Sequence, residues 1–138
     1  MRYLVDASSV FLIIRSLEEE KALRLLSENC ILDLTKYEVG NALWKEHRLH
    51  RTLKEKEVQE LLDLFTQLLS RAKILTVEPR GLSEVARFAI DEKTSFYDAS
   101  YIMTARNKDL TLVTEDTQLR KVASKHVRAI SSAEVSLA

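Results

Sequence analysis

The chain has 138 residues, 46% hydrophobic and 30% charged, which is one domain's worth of sequence with enough apolar residues to bury a core. Its 21 basic and 21 acidic residues cancel, which excludes a broadly basic coat for gripping nucleic acid but leaves room for a local site. Two glycines 41 positions apart exclude a Gly-rich phosphate loop or a dinucleotide fingerprint, and a single cysteine excludes an internal disulfide or a multi-cysteine zinc site.

Tyr3-Leu4-Val5 is an apolar run ending at Asp6 and predicts a buried strand. Ser8 and Ser9 then precede Val10–Arg15, predicted as a short helix with a serine N-cap. Residues 18–28 predict a second helix, and 30–34 a second strand with Cys30 as a buried thiol. Thr35 opens a helix carrying Val39, Ala42 and Leu43 on one face. Beyond Thr52, Val58, Leu61, Leu62, Phe65, Leu68 and Leu69 recur at the spacing of one buried helical stripe. Ile74–Val77 predicts a third strand, and Pro79 suits the first turn of a helix whose apolar face holds Leu82, Val85, Ala86, Ala89 and Ile90. Thr94–Phe96 breaks that pattern, and a helix restarts near Tyr97. Leu110–Thr114 reads as a fourth strand, followed by a short helix with Leu119 and Val122, and Val127–Ile130 as a fifth. The small polar tail, 131–138, is expected to fray.

Strands alternating with helices predict an α/β fold. The expectation is one domain over 1–138, with a central, mostly parallel sheet of about four to five short strands flanked by helices. The longest apolar run, Val10–Ile14, is far shorter than a membrane span, and an acid at position 6 does not fit a secretory signal. A soluble, cytoplasmic chain without a membrane partner is expected.

In open α/β sheets, sites form at the carboxyl ends of the strands. Carboxylates collect there: Asp6 ends the first strand, Glu38 lies one helical turn beyond the second, Asp116 follows the fourth, and Asp98 opens a helix. Clustered carboxylates repel one another unless a cation neutralises them, and hard oxygen donors suit Mg²⁺ or Mn²⁺. Such ions can hold a phosphodiester for attack by water, so no Ser, Cys or His nucleophile is required. Each acid also has a simpler reading. Thr35 with Glu38, and Ser95 with Asp98, fit capping boxes, and Asp6 and Asp116 fit helix caps. The functional reading rests on the set. His47 and His50 are three apart on a helix, but Glu46, Arg48 and Arg51 beside them favour a solvated face. Trp44 favours packing over base stacking, and Glu18-Glu19-Glu20 suits an acidic first helical turn.

In order, Tyr3-Leu4-Val5-Asp6-Ala7-Ser8, Thr35-Lys36-Tyr37-Glu38-Val39-Gly40-Asn41-Ala42-Leu43, Phe96-Tyr97-Asp98-Ala99-Ser100-Tyr101-Ile102 and Leu112-Val113-Thr114-Glu115-Asp116-Thr117-Gln118-Leu119 resemble the four motifs of the PIN domain. A free-standing chain of this size is similar to the VapC toxins of toxin–antitoxin pairs. The resemblance implies a single PIN-like domain and an endoribonuclease that uses Mg²⁺ or Mn²⁺ and leaves a 5′-phosphate. It implies that Asp6, Glu38, Asp98 and Asp116 are the catalytic, metal-binding acids, with Ser8 and Thr114 supporting them. It also implies a homodimer, an RNA substrate and a cognate antitoxin partner. Alternatives are a non-catalytic PIN-like scaffold for RNA or protein, or a PIN nuclease of RNA processing. Phosphoaspartate chemistry is disfavoured, because Asp6 has no acidic neighbour and is followed by Ala7-Ser8. If the four acids share one pocket, 17 acids face 21 bases elsewhere, so overall neutrality is compatible with an acidic pocket in a mildly basic body.

Overall fold

The computed structural model describes residues 2–16 and 18–135. Along the chain run β1 (Tyr3–Val5), α1 (Ala7–Arg15), α2 (Glu19–Leu26), β2 (Cys30–Leu32), α3 (Thr35–Arg48) and α4 (Glu55–Leu69). They are followed by β3 (Lys73–Leu75), α5 (Leu82–Glu92), α6 (Phe96–Asn107), β4 (Thr111–Val113), α7 (Thr117–Ala123) and β5 (Ala129–Ile130). Single 3₁₀ turns at Pro79–Gly81 and Ser132–Glu134 complete the described elements. The sheet order is β3-β2-β1-β4-β5, and every pairing is parallel.

Side chains alternate across a strand, so even these very short strands feed two cores. Tyr3, Val5, Ile31, Val113 and Ile130 point into one core with α1 to α4. Leu4, Cys30, Leu32 and Leu112 point into the other, against α6 and α7. The α4 stripe buries Leu61, Phe65 and Leu68 as its periodicity requires. The face of α6 away from the sheet meets α5, where Ala99 joins Val85 and Ala89. This explains why α6 has no polar face: Ala99 to Ile102, Thr104 and Ala105 are all buried.

Local details depart from the sequence reading. The cap of α1 is Asp6, whose side chain accepts from Ser9 N, and not a serine. The second strand ends at Leu32, and the third runs Lys73–Leu75 on the sheet edge instead of Ile74–Val77. Pro79 starts a 3₁₀ turn ahead of α5. The tail is anchored through residue 135: Ser132 is buried, and its N–H donates to Glu115 Oε1 at 2.8 Å. Residues 136–138, also expected to fray, lie outside the described residues. With so few glycines, left-handed turn positions fall to Glu28, Arg51, Lys93 and Asp109, conformations that cost L-residues roughly 1–2 kcal/mol each. Among the described residues, no helix is long and apolar enough to cross a membrane.

Candidate active site

The chain leaves β1 toward β2 through helices on one face, and reaches β4 through helices on the other. The junction of β1 and β4 is therefore the point where connections diverge, leaving a crevice beyond the strand ends. Register fixes what lines it. Val5 pairs with Val113, so Asp6 and Thr114 emerge side by side.

Asp6 is almost wholly buried, at 4% exposure. Its Oδ1 accepts from Ser8 Oγ at 2.7 Å and from Ser9 N at 3.0 Å. Ser8 Oγ is 3.2 Å from Thr114 Oγ1, and it also accepts from Glu115 N at 3.0 Å. Thr114 Oγ1 in turn accepts from Asp116 N at 3.1 Å. Ser8 and Thr114 thus hold Asp6 and the backbone of Asp116 in one lattice. Asp116 caps α7, with Oδ1 accepting from Gln118 N and Leu119 N at 2.9 and 3.1 Å.

Glu38 stands on the first turn of α3 and does not form the expected capping box, because Leu34 occupies the cap position. Its Oε1 instead accepts from Tyr101 OH at 2.8 Å, and Thr35 Oγ1 lies 2.6 Å from the same phenol. Since the Tyr101 proton goes to Glu38, Thr35 is the donor to Tyr101, giving a relay that fixes the carboxylate. Asp98 does keep its local cap: its N–H donates to Ser95 Oγ at 3.0 Å, and its Oδ2 receives a long 3.5 Å contact from Thr94 Oγ1.

Electrostatics ties the four acids together. Burial raises the pKa of Asp6, opposed by its hydroxyl and backbone donors, and the Asp116 charge adds to the rise. Burial likewise raises Glu38, against the Tyr101 bond, with further rises from Asp6 and Asp98. Asp98 is raised by burial and then by Asp116. These couplings close a ring: Asp6, Glu38, Asp98, Asp116 and back to Asp6. Among the described residues no Lys, Arg or His makes an ion pair with any of them. Arg120, which could approach, spends Nη1 on the Thr114 carbonyl at 2.8 Å.

The ring is loose. Among the described residues no three acid, His or Cys side chains stand close enough to hold a metal ion as they are. Their donor chemistry nevertheless fits a hard divalent cation: all-oxygen ligands, Asp6, Glu38 and Asp98 partly desolvated and Asp116 exposed, with no ion-paired cation among the described residues. Glu38 and Asp116 each commit one carboxylate oxygen to the hydrogen bonds above, leaving the other for a ligand.

Other sequence candidates fall elsewhere. His47 Nδ1 meets the Leu53 carbonyl and His50 meets Glu46, so the two histidines serve separate partners. Trp44 is half exposed on α3 and lies outside the core. A cavity of about 430 Å³ between the Pro79–Gly81 turn, α5 and the end of α6 includes none of the four acids.

Two contributors were missed by the sequence reading. Tyr101 was read only as part of a motif, yet burial and the nearby Glu38 and Asp6 charges push its phenol far above the usual range, so it stays a donor. The signal was available: a buried tyrosine needs a partner for its hydroxyl, and Tyr101 lies one turn from Asp98. Glu115 was the other. Burial works against its charge, but bonds from Ser132 and Ser9 outweigh this and hold its carboxyl below the usual range. It joins α1 to the tail. Tyr101→Phe is expected to cost about 1–3 kcal/mol, because Thr35 and Glu38 lose a buried partner. Urea unfolding measures this, and a loss within error would mean the relay is not formed.

A model of the PIN domain matches residues 3–125 of the chain. The chain is 40% identical over 119 residues to Exonuclease VapC9 of Pyrobaculum aerophilum, covering 86% of this chain and 84% of that protein. It is 31% identical over 123 residues to Ribonuclease VapC3 of the same organism, covering 86% and 92%. The crystal structure of PAE2754 from Pyrobaculum aerophilum is similar at a TM-score of 0.80 and 36% identity, over 96% of this chain and 85% of that one. A DNA-bound VapBC from Salmonella typhimurium matches at a TM-score of 0.70 over 96% and 98%, and at 15% identity that likeness is one of fold.

Proposed function

The chain belongs to the PIN-domain family, and we propose that it is a Mg²⁺- or Mn²⁺-dependent endoribonuclease, the toxin member of a toxin–antitoxin pair. The observation that carries the proposal is the set of four carboxylates at the β1–β4 switch point, of which Asp6, Glu38 and Asp98 are raised by burial and by neighbouring acids, with no ion-paired cation among the described residues. Asp6, Glu38, Asp98 and Asp116 would hold the ion. When bound, it offsets their charge and polarises the phosphodiester for attack by water. Ser8 and Thr114 fix Asp6, and Thr35 and Tyr101 fix Glu38, so neither carboxylate has to be reoriented from solvent. With four acids facing it, the RNA backbone is repelled until the ion is in place, which orders the events as cation first and polyanion second.

An RNA substrate and an antitoxin partner are supported by the names of the relatives and by the VapBC neighbour. A homodimer, seated on the α3–α4 face where Trp44 and Leu49 are exposed, belongs to the same reading. A second reading, cleavage from an end, is favoured by the relative named an exonuclease. The deciding experiment offers linear and covalently circular single-stranded RNA with Mg²⁺ or Mn²⁺. Both substrates should be cut, and chelator should stop the reaction. Cutting of the linear form alone selects the exonuclease, and no cutting with any divalent ion leaves a binding scaffold.

A further inference from the structure

We infer that Tyr37, Phe96 and Tyr97 form a stacking platform for the unpaired bases of a single-stranded RNA beside the acid ring. Among the described residues four aromatic side chains are exposed: Tyr37 at 71%, Tyr97 at 62%, Trp44 at 50% and Phe96 at 40%. A lone exposed aromatic is ordinary, but three of these four stand one or two residues before a site acid: Tyr37 before Glu38, and Phe96 and Tyr97 before Asp98. The Thr35–Tyr101 contact at 2.6 Å and the Tyr101–Glu38 bond at 2.8 Å tie the first turn of α3 to α6, which brings together the two helix starts that carry these exposed rings.

Charge selects the occupant. Lys36 Nζ stands 5.2 Å from the Tyr37 ring centroid, placing a cation on one face of the ring and leaving the other for a base. Lys93, three residues before Phe96, is exposed, and neither lysine is ion-paired among the described residues. Aromatic rings interleaved with cations suit a strand of bases and phosphates, whereas a paired helix keeps its base faces stacked and unavailable. Stacking would add affinity that does not depend on charge, beside four acids that repel the phosphate backbone.

This rests on the ribonuclease reading, and its test separates the two. KM and kcat are measured with Mn²⁺ on a short unstructured RNA carrying 2-aminopurine, for the wild type, Tyr37→Ala, Tyr97→Ala, Tyr37→Phe and Tyr97→Phe. Each alanine variant should raise KM by about 5- to 150-fold with kcat little changed, and lose the quenching of 2-aminopurine that stacking produces. The phenylalanine variants should retain both. Unchanged KM in the alanine variants overturns the platform and leaves the nuclease standing. If the wild type cuts nothing, the nuclease reading falls, and the fluorescence decides the platform alone: quenching that depends on Tyr37 and Tyr97 supports it, and its absence overturns it. Alanine variants that keep their RNA kinetics but lose a bound partner protein also overturn it, in favour of a protein-docking rim.

Discussion

Asp6→Asn is expected to lower RNA cleavage by at least about a hundredfold while leaving the fold intact. Asparagine keeps an oxygen able to accept from Ser9 N, so the α1 cap survives, and only the charge is lost. The same substitution carries a stability signature. Asp6, Glu38 and Asp98 all have raised pKa values in the folded chain, burial being the main cause. Between the ordinary carboxylate range and those raised values, the folded state binds more protons than the unfolded one, so their contribution to stability falls as pH rises through that window. Glu46, Glu92 and Glu115 have lowered values and act in the opposite sense, their contribution being lost as pH falls through those values. The difference between wild type and Asp6→Asn isolates the one acid. In chelator at neutral pH the variant should melt no lower than the wild type, and the gap should close as pH drops into the carboxylate range. Saturating Mn²⁺ should reverse the order, since an ion at 100 times its Kd adds about 2.7 kcal/mol to the form that binds it. Wild-type cleavage by Asp6→Asn would remove Asp6 from the site.

Leu112→Ala should cost about 2–5 kcal/mol. Leu112 is fully buried at the middle of β4, paired with Leu4 of β1 and Ala129 of β5. It packs in the core that also holds Tyr101, Ile102, Leu119 and Ala123. The backbone around it is hydrogen-bonded on both sides, so the cavity left by truncation cannot collapse without breaking the sheet. Against a total of about 5–15 kcal/mol for a domain, this is a large fraction. Urea titration measures it. A midpoint shift worth less than about 1 kcal/mol would mean that the two-core assignment is wrong at its centre.

Both predictions draw on what the sequence shows and on what it conceals. The alternation of apolar strand runs with amphipathic helices was enough for the α/β class, because the 2.0 and 3.6 periods are local. The positions of Asp6, Glu38, Asp98 and Asp116 after strands or in first helical turns were local too, and in the folded chain each feels the charge of a neighbour in the set or bears on one. What could not be read is what joins distant segments. Thr35 and Tyr101 are 66 residues apart, and no local pattern couples them. Glu115 gains its partners from α1 and from Ser132, which anchors the described part of the small polar tail, residues 131–135, where fraying was expected. The cap of α1 was open between Asp6 and a serine, because Ser8 and Ser9 compete with Asp6 by type; backbone geometry decides for Asp6.

The pairing of β1 with β4 has a consequence for synthesis. Ser8 and Thr114 meet across 106 residues, and β1 lies between β2 and β4. A growing chain released only as far as α6 has Asp6, Glu38 and Asp98 but neither the strand that completes the crevice nor Asp116. Parallel pairing over such a distance forms late, after the intervening loop entropy has been overcome. On the proposed function, a nascent chain that has emerged only as far as α6 cannot yet cut RNA, because β4 and Asp116 are still missing from its crevice.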